Sequence, residues 1–189
     1  MRCQSLCSLM AAGMFAGLAG GACGNDQISY PVIPIEEFTA TLTGANEVPP
    51  VATAATGTVL FAVMYDTILS YRIDVTGLDS VTVIRVYSGA AGAAAGDTLA
   101  VLFTGVACKN AAGAAINATS PSCRLGYTGT INPAQFKASQ LTRIPLSYGA
   151  TPVDRFNAFL ALLRNGTAHV NIHTKANPSG NIRGQIQPM

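Results

Sequence analysis

Both histidines of this 189-residue chain fall in one short run, AHVNIHT, at positions 168–174. Imidazole can bind a metal, carry a proton near neutral pH, or hydrogen-bond through two distinct nitrogens. Apolar and polar residues alternate along the run, the period of a β-strand, which puts His169, Asn171 and His173 on one face. On a strand, residues i and i+4 stand ~13 Å apart at 3.3 Å per residue. Imidazole–metal bonds are only ~2.1 Å long, so the two histidines cannot chelate one ion, and His173 would need partners from another strand.

Other reactive patterns are absent. The chain has no G-x-S-x-G, no H-E-x-x-H, no G-x-x-x-x-G-K and no G-x-G-x-x-G entering a helix. Its nine carboxylates are scattered, and Glu36 and Glu37 are adjacent, hence on opposite faces of a strand. No catalytic residue, metal or cofactor is expected.

The elements that hold these residues are mostly strands. EFTATLTG (37–44), GTVLFAVMYD (57–66), ILSYRIDVTG (68–77), SVTVIRVYSG (80–89), TLAVLFTG (98–105), HVNIHT and GNIRGQI are short runs bounded by Gly, Pro, Asn or Asp. This is the pattern of antiparallel strands in a sandwich or barrel. One segment differs: TPVDRFNAFLALLRNG (151–166) predicts a helix near 152–164. Thr151 is its N-cap, Pro152 its first residue and Asp154 the capping-box partner. Phe156, Phe159, Leu160 and Leu163 follow at helical spacing. NPAQFKAS (132–139) reads as a shorter helical turn. GAAGAAAGD (89–97) reads as a Gly/Ala loop and 104–131 as a long polar excursion. NPSGN (177–181) has the residues of a turn.

Length and composition fit one domain with a sizeable core. Hydrophobic residues make up 49% and charged residues 11% of the chain, which excludes a disordered polymer. The net charge is +2 with no Lys/Arg cluster, so no nucleic-acid partner is expected.

Residues 1–22 have the layout of a secretory signal: Arg2, an apolar run, then small residues. LAGGACGND resembles a bacterial lipobox, with Cys23 as the residue to be acylated. Residues 23–35 read as a tether and 36–189 as the domain. The chain is therefore expected to be exported and lipid-anchored in the periplasm or at the cell surface, or else secreted. Cys3 and Cys7 leave with the signal. Cys108 and Cys123 then remain in an oxidising compartment, where a disulfide is the natural pairing. It would close a loop worth ~3 kcal/mol in the chain-entropy model.

Three pieces in order, FTATLTGANEVPPVATAATGTVLF, LSYRIDVTGLDSVTVIRVYSGAAGAAAG and AHVNIHTKANPSGNIRGQI, resemble the CHRD domain. This repeat was first described in chordin and also occurs in many exported bacterial proteins. NEVPPV (46–51), VNIHT (170–174) and IRGQI (182–186) are the most specific parts. The resemblance implies an antiparallel β-sandwich laid out like copper/zinc superoxide dismutase, and no agreed activity. In the family the strand after VT usually reads His-x-His, which with a later histidine parallels three copper ligands of the dismutase. Here Arg85 and Tyr87 stand at those places and only His173 matches. Asn181 replaces a usual Glu, and His169 replaces a common Tyr.

Arg cannot ligate, and its charge repels a cation. Arg85, Tyr87, Asn171 and His173 are therefore expected to form a hydrogen-bonded polar cluster on one side of the sandwich. The function expected is a non-enzymatic envelope module that binds a protein, a glycan or a second copy of itself. The alternative is a metal- or redox-linked enzyme related to the dismutase with a degenerate site.

Overall fold

The alternation in the sequence becomes alternation in burial. In β1 (Glu36–Thr43) Phe38, Ala40 and Leu42 are buried, and in β2 (Thr56–Met64) Val59, Phe61 and Val63 are. In β3 (Ile68–Leu78) they are Leu69, Tyr71, Ile73 and Val75. β4 (Val81–Ser88), β5 (Thr98–Lys109), β6 (Ala115–Asn117) and β7 (Tyr127–Lys137) follow. β8 (Ala168–Thr174), β9 (Ile182–Gln185) and β10 (Gln187–Pro188) close the chain. The structure, a computed structural model, describes residues 36–65, 67–78, 80–109, 115–117 and 127–189. The signal segment, the tether, Cys23 and Cys123 lie outside the described residues. Cys108 is placed on β5 by its backbone alone, so the expected disulfide also lies outside them.

The strands run antiparallel in one sheet of order β6-β5-β4-β8-β9-β1-β2-β3-β7, with β10 added on β1. β9 meets β1 through the single pair Thr43 and Arg183. At this narrow joint the sheet curls over itself. Tyr71 on β3 donates its hydroxyl to the Leu102 carbonyl on β5 at 2.6 Å, joining the two halves. Between them lies one apolar core that includes Phe38, Phe61, Ile84, Leu99 and Ile172. The fold is mostly β and sandwich-like, with one helix.

That helix, α1 (Pro152–Arg164), starts where its cap residues dictate. Thr151 Oγ1 accepts from the Asp154 N–H at 3.1 Å, and Asp154 Oδ2 accepts from the Thr151 N–H at 3.0 Å. These bonds with Thr151 hold the Asp154 carboxyl below its ordinary range. Phe156, Phe159, Leu160 and Leu163 enter the core, where Phe159 meets the Phe136 ring at 6.2 Å. In the last turn Arg164 forks onto Glu36 at 2.6 and 2.7 Å.

Two expectations are corrected. Residues 132–137 continue β7 instead of turning helical, and only Ala138–Gln140 form a 3-10 turn. Pairing with β3 from Ile68–Lys137 to Leu78–Tyr127 holds this segment extended. The excursion 104–131 is in part sheet, because β5 runs on to Lys109, β6 pairs with it, and β7 begins at Tyr127.

Candidate functional site

β8 lies between β4 and β9, and all seven of its residues are buried. Ala168, Val170 and Ile172 face the core. His169, Asn171 and His173 point the other way, where an open sandwich would meet water. In register across the three strands stand Arg85, Asn171 and Arg183, and next to them Tyr87, His169 and Gln185. Loops roof this face. The 44–50 segment brings Glu47, the 89–97 loop brings carbonyls, and the 177–181 turn brings Pro178 and Gly180.

Each polar side chain under the roof has at least one definite partner, and Glu47, Arg85, His169, Asn171 and Gln185 each keep one buried atom without one. Arg183, 3% exposed, donates through Nη1 to the Ala93 carbonyl at 2.7 Å and through Nη2 to the Ala90 carbonyl at 3.2 Å. Nη2 also reaches His169 Nδ1 at 3.3 Å. Guanidinium only donates, so in this contact Nδ1 accepts, which leaves the His169 proton on Nε2, a buried atom with no hydrogen-bond partner. The His169 ring stacks on Tyr87 with centroids 5.7 Å apart. Burial, and then the Arg183 charge, push its pKa down to about 4, against the Gly89 backbone.

His173 has the opposite tautomer. Its Nδ1–H donates to the Pro178 carbonyl at 2.8 Å, so Nε2 accepts from the Tyr87 hydroxyl at 3.2 Å. That hydroxyl accepts from Arg85 Nη1 at 3.1 Å. Burial lowers the His173 pKa, the Pro178 carbonyl opposes this, and the Arg85 charge adds to it.

Of the four residues expected to cluster, Arg85, Tyr87 and His173 are therefore joined in one hydrogen-bonded chain. Asn171 belongs to another pair. It faces Arg85 in register, yet its Nδ2–H donates to Glu47 Oε2 at 3.0 Å. Glu47 is 5% exposed, and burial pushes its carboxyl up to about 7 against the Asn171 hydrogen bond and the Arg183 charge. Gln185 Nε2 lies 3.0, 2.6 and 2.8 Å from the carbonyls of Gly89, Gly166 and Ala168.

Glu47, Arg183 and Gln185 were not singled out from the sequence. The signal that could have found them is that NEVPPV and IRGQI, the most specific pieces of the resemblance, each hold a charged residue amid apolar ones.

The copper-type ligand set implied by the dismutase parallel does not fit these residues. Both His173 nitrogens are committed to hydrogen bonds, and the Arg85 cation sits on the same Tyr87 hydroxyl. Among the described residues no three His, Cys, Asp or Glu side chains gather within reach of one ion. The arrangement does offer a place to bind. A pocket of about 410 Å³ opens between the 44–50 and 89–93 segments. Its polar part comes from Glu47, Arg183 and Gln185, and its apolar part from Val48, Pro50 and Ala91. Such a lining suits a small group with an apolar body and a polar end.

The family model described as the CHRD domain matches residues 38–186. No curated protein and no solved structure matches the chain.

Proposed function

This chain belongs to the CHRD domain family, and we propose that it works as a non-enzymatic binding or structural module of a cell envelope. In this reading residues 1–22 direct export, Cys23 carries the lipid anchor, and 23–35 tether the domain at 36–189. The binding partner is an envelope protein or glycan, or a second copy of the chain. The observation that carries the reading is the pocket of about 410 Å³, whose walls come from two loops hydrogen-bonded to the polar layer beneath them. Binding sites work best when the scaffold orders the loops beforehand, so that little conformational entropy is lost on capture.

The test titrates the mature chain with soluble envelope glycans and peptides while heteronuclear NMR follows Val48, Ala91, Gly92 and Gln185. Saturable shifts centred on these residues are expected for at least one class. No shifts there across the panel, or shifts confined to another surface, would reject the pocket as the site. Incorporation of labelled palmitate that is lost in Cys23→Ser is the expected result for the anchor, and an unlabelled parent chain would reject it.

A further inference from the structure

Glu47 and Asn171 each bury one oxygen that has no hydrogen-bond partner, Oε1 of the carboxyl and Oδ1 of the amide. Both oxygens lie 2.7 Å from the point where a Cβ on Gly180 would stand, and so does Asn171 Nδ2. Both therefore border the same small space above Gly180, the one residue type that leaves them room. The other half of the contact is already made, with Nδ2–H donating to Glu47 Oε2 at 3.0 Å. A carboxylate only accepts, so it would set its second oxygen against the amide oxygen with nothing between them. A carboxylic acid has one acceptor and one donor side by side, the complement of an amide.

We infer that Glu47 is held as a neutral carboxylic acid. Its Oε1–H donates to Asn171 Oδ1 and closes a two-bond ring that latches the 44–50 segment onto β8. Of the charged groups facing the carboxyl from each neighbouring element, the Arg183 charge alone favours the ionised form, and burial outweighs it. Arg183 on β9 spends both Nη groups on the Ala90 and Ala93 carbonyls and on His169, and among the described residues it makes no ion pair with Glu47. His169 on β8 is neutral, and Arg85 on β4 is engaged by Tyr87. Segments 89–93 and 177–180 carry no titratable side chain. The latch holds one wall of the pocket through Val48 and Pro50, and it does not require that the pocket take any ligand.

The sign of the pH dependence follows. The unfolded carboxyl titrates near 4.5 and the folded one near 7. Between these values the folded chain binds a proton that the unfolded chain has lost. The latch is therefore fully stabilising below 4.5 and is lost as pH rises through about 7.

Glu47→Gln supplies the same donor and acceptor at every pH. At pH 4, below the unfolded value, the variant and parent mature chains should unfold alike. At pH 8 the variant's unfolding constant should be smaller by on the order of 100-fold. A pH-independent difference of either sign, no difference at pH 8, or a variant that does not fold would overturn the inference. An infrared band of a protonated carboxyl in the parent chain at pH 6, shifted by isotope-labelled glutamate, checks it without any variant. Absence of that band would also overturn it.

Discussion

The two faces of β8 are equally buried and differently held. Towards the core, Ala168, Val170 and Ile172 belong to one large apolar cluster. Towards the loops, His169, Asn171 and His173 each depend on one or two named partners drawn from residues 47, 87, 178 and 183. Hydrophobic burial is non-directional and scales with area, whereas a buried polar group is worth little when paired and costs much when orphaned. The core face therefore sets how stable the fold is. The loop face sets which conformation its loops adopt, and so the shape of the pocket.

Single substitutions on each face should separate the two kinds of support. The largest effect is expected on the core face: Ile172→Ala should cost about 3–4 kcal/mol in denaturant unfolding, the usual range for a fully buried side chain. The pocket's ligand response should be unchanged in the folded fraction. Gly180→Ala comes next. Its φ of +140° and a Cβ only 2.7 Å from the Asn171 amide and Glu47 Oε1 should cost about 2–3 kcal/mol. Unlike Ile172→Ala, it should also raise amide exchange in the 44–50 segment.

Tyr87→Phe removes the hydroxyl shared by Arg85 and His173 and should cost about 1 kcal/mol. Most of that loss should vanish when His173 is replaced by a residue that needs no donor. Arg164→Ala breaks a half-exposed fork onto Glu36, away from both faces, and should change stability by about 0.5 kcal/mol or less. If Tyr87→Phe cost no more than Arg164→Ala, the claim that the polar layer is sensitive to single partners would fail.

What the sequence made legible was local. Period-two alternation in β1, β2 and β3, and the Thr151–Asp154 box of α1, depend on neighbours a few residues away. The common face of His169, Asn171 and His173 could be read for the same reason. The pairing of Asn171 with Glu47 could not, because 124 residues separate them and a strand pattern does not say which loop will fold over it. The alternation of AHVNIHT resembles that of a half-exposed strand, yet both its faces are buried. Segment 132–137 misled because Pro133 suggested a helix start, while pairing along β3 overrode that local preference.

The loop face of β8 is a hydrogen-bonded layer that holds both histidines neutral with opposite tautomers, while Arg85 Nε, His169 Nε2 and Gln185 Oε1 stay buried without a partner. Side-chain nitrogen shifts of His169 and His173, followed by NMR from pH 8 to pH 4, test it most directly. His169 should be protonated on Nε2 and His173 on Nδ1, both titrating below the ordinary imidazole value, with His169 at about 4. Because both pKa values are depressed, their contribution to stability should be full above 6.5 and fall as pH drops below it. Identical tautomers, ordinary titration near 6.5, or loss of either signal on adding stoichiometric copper or zinc would contradict the account.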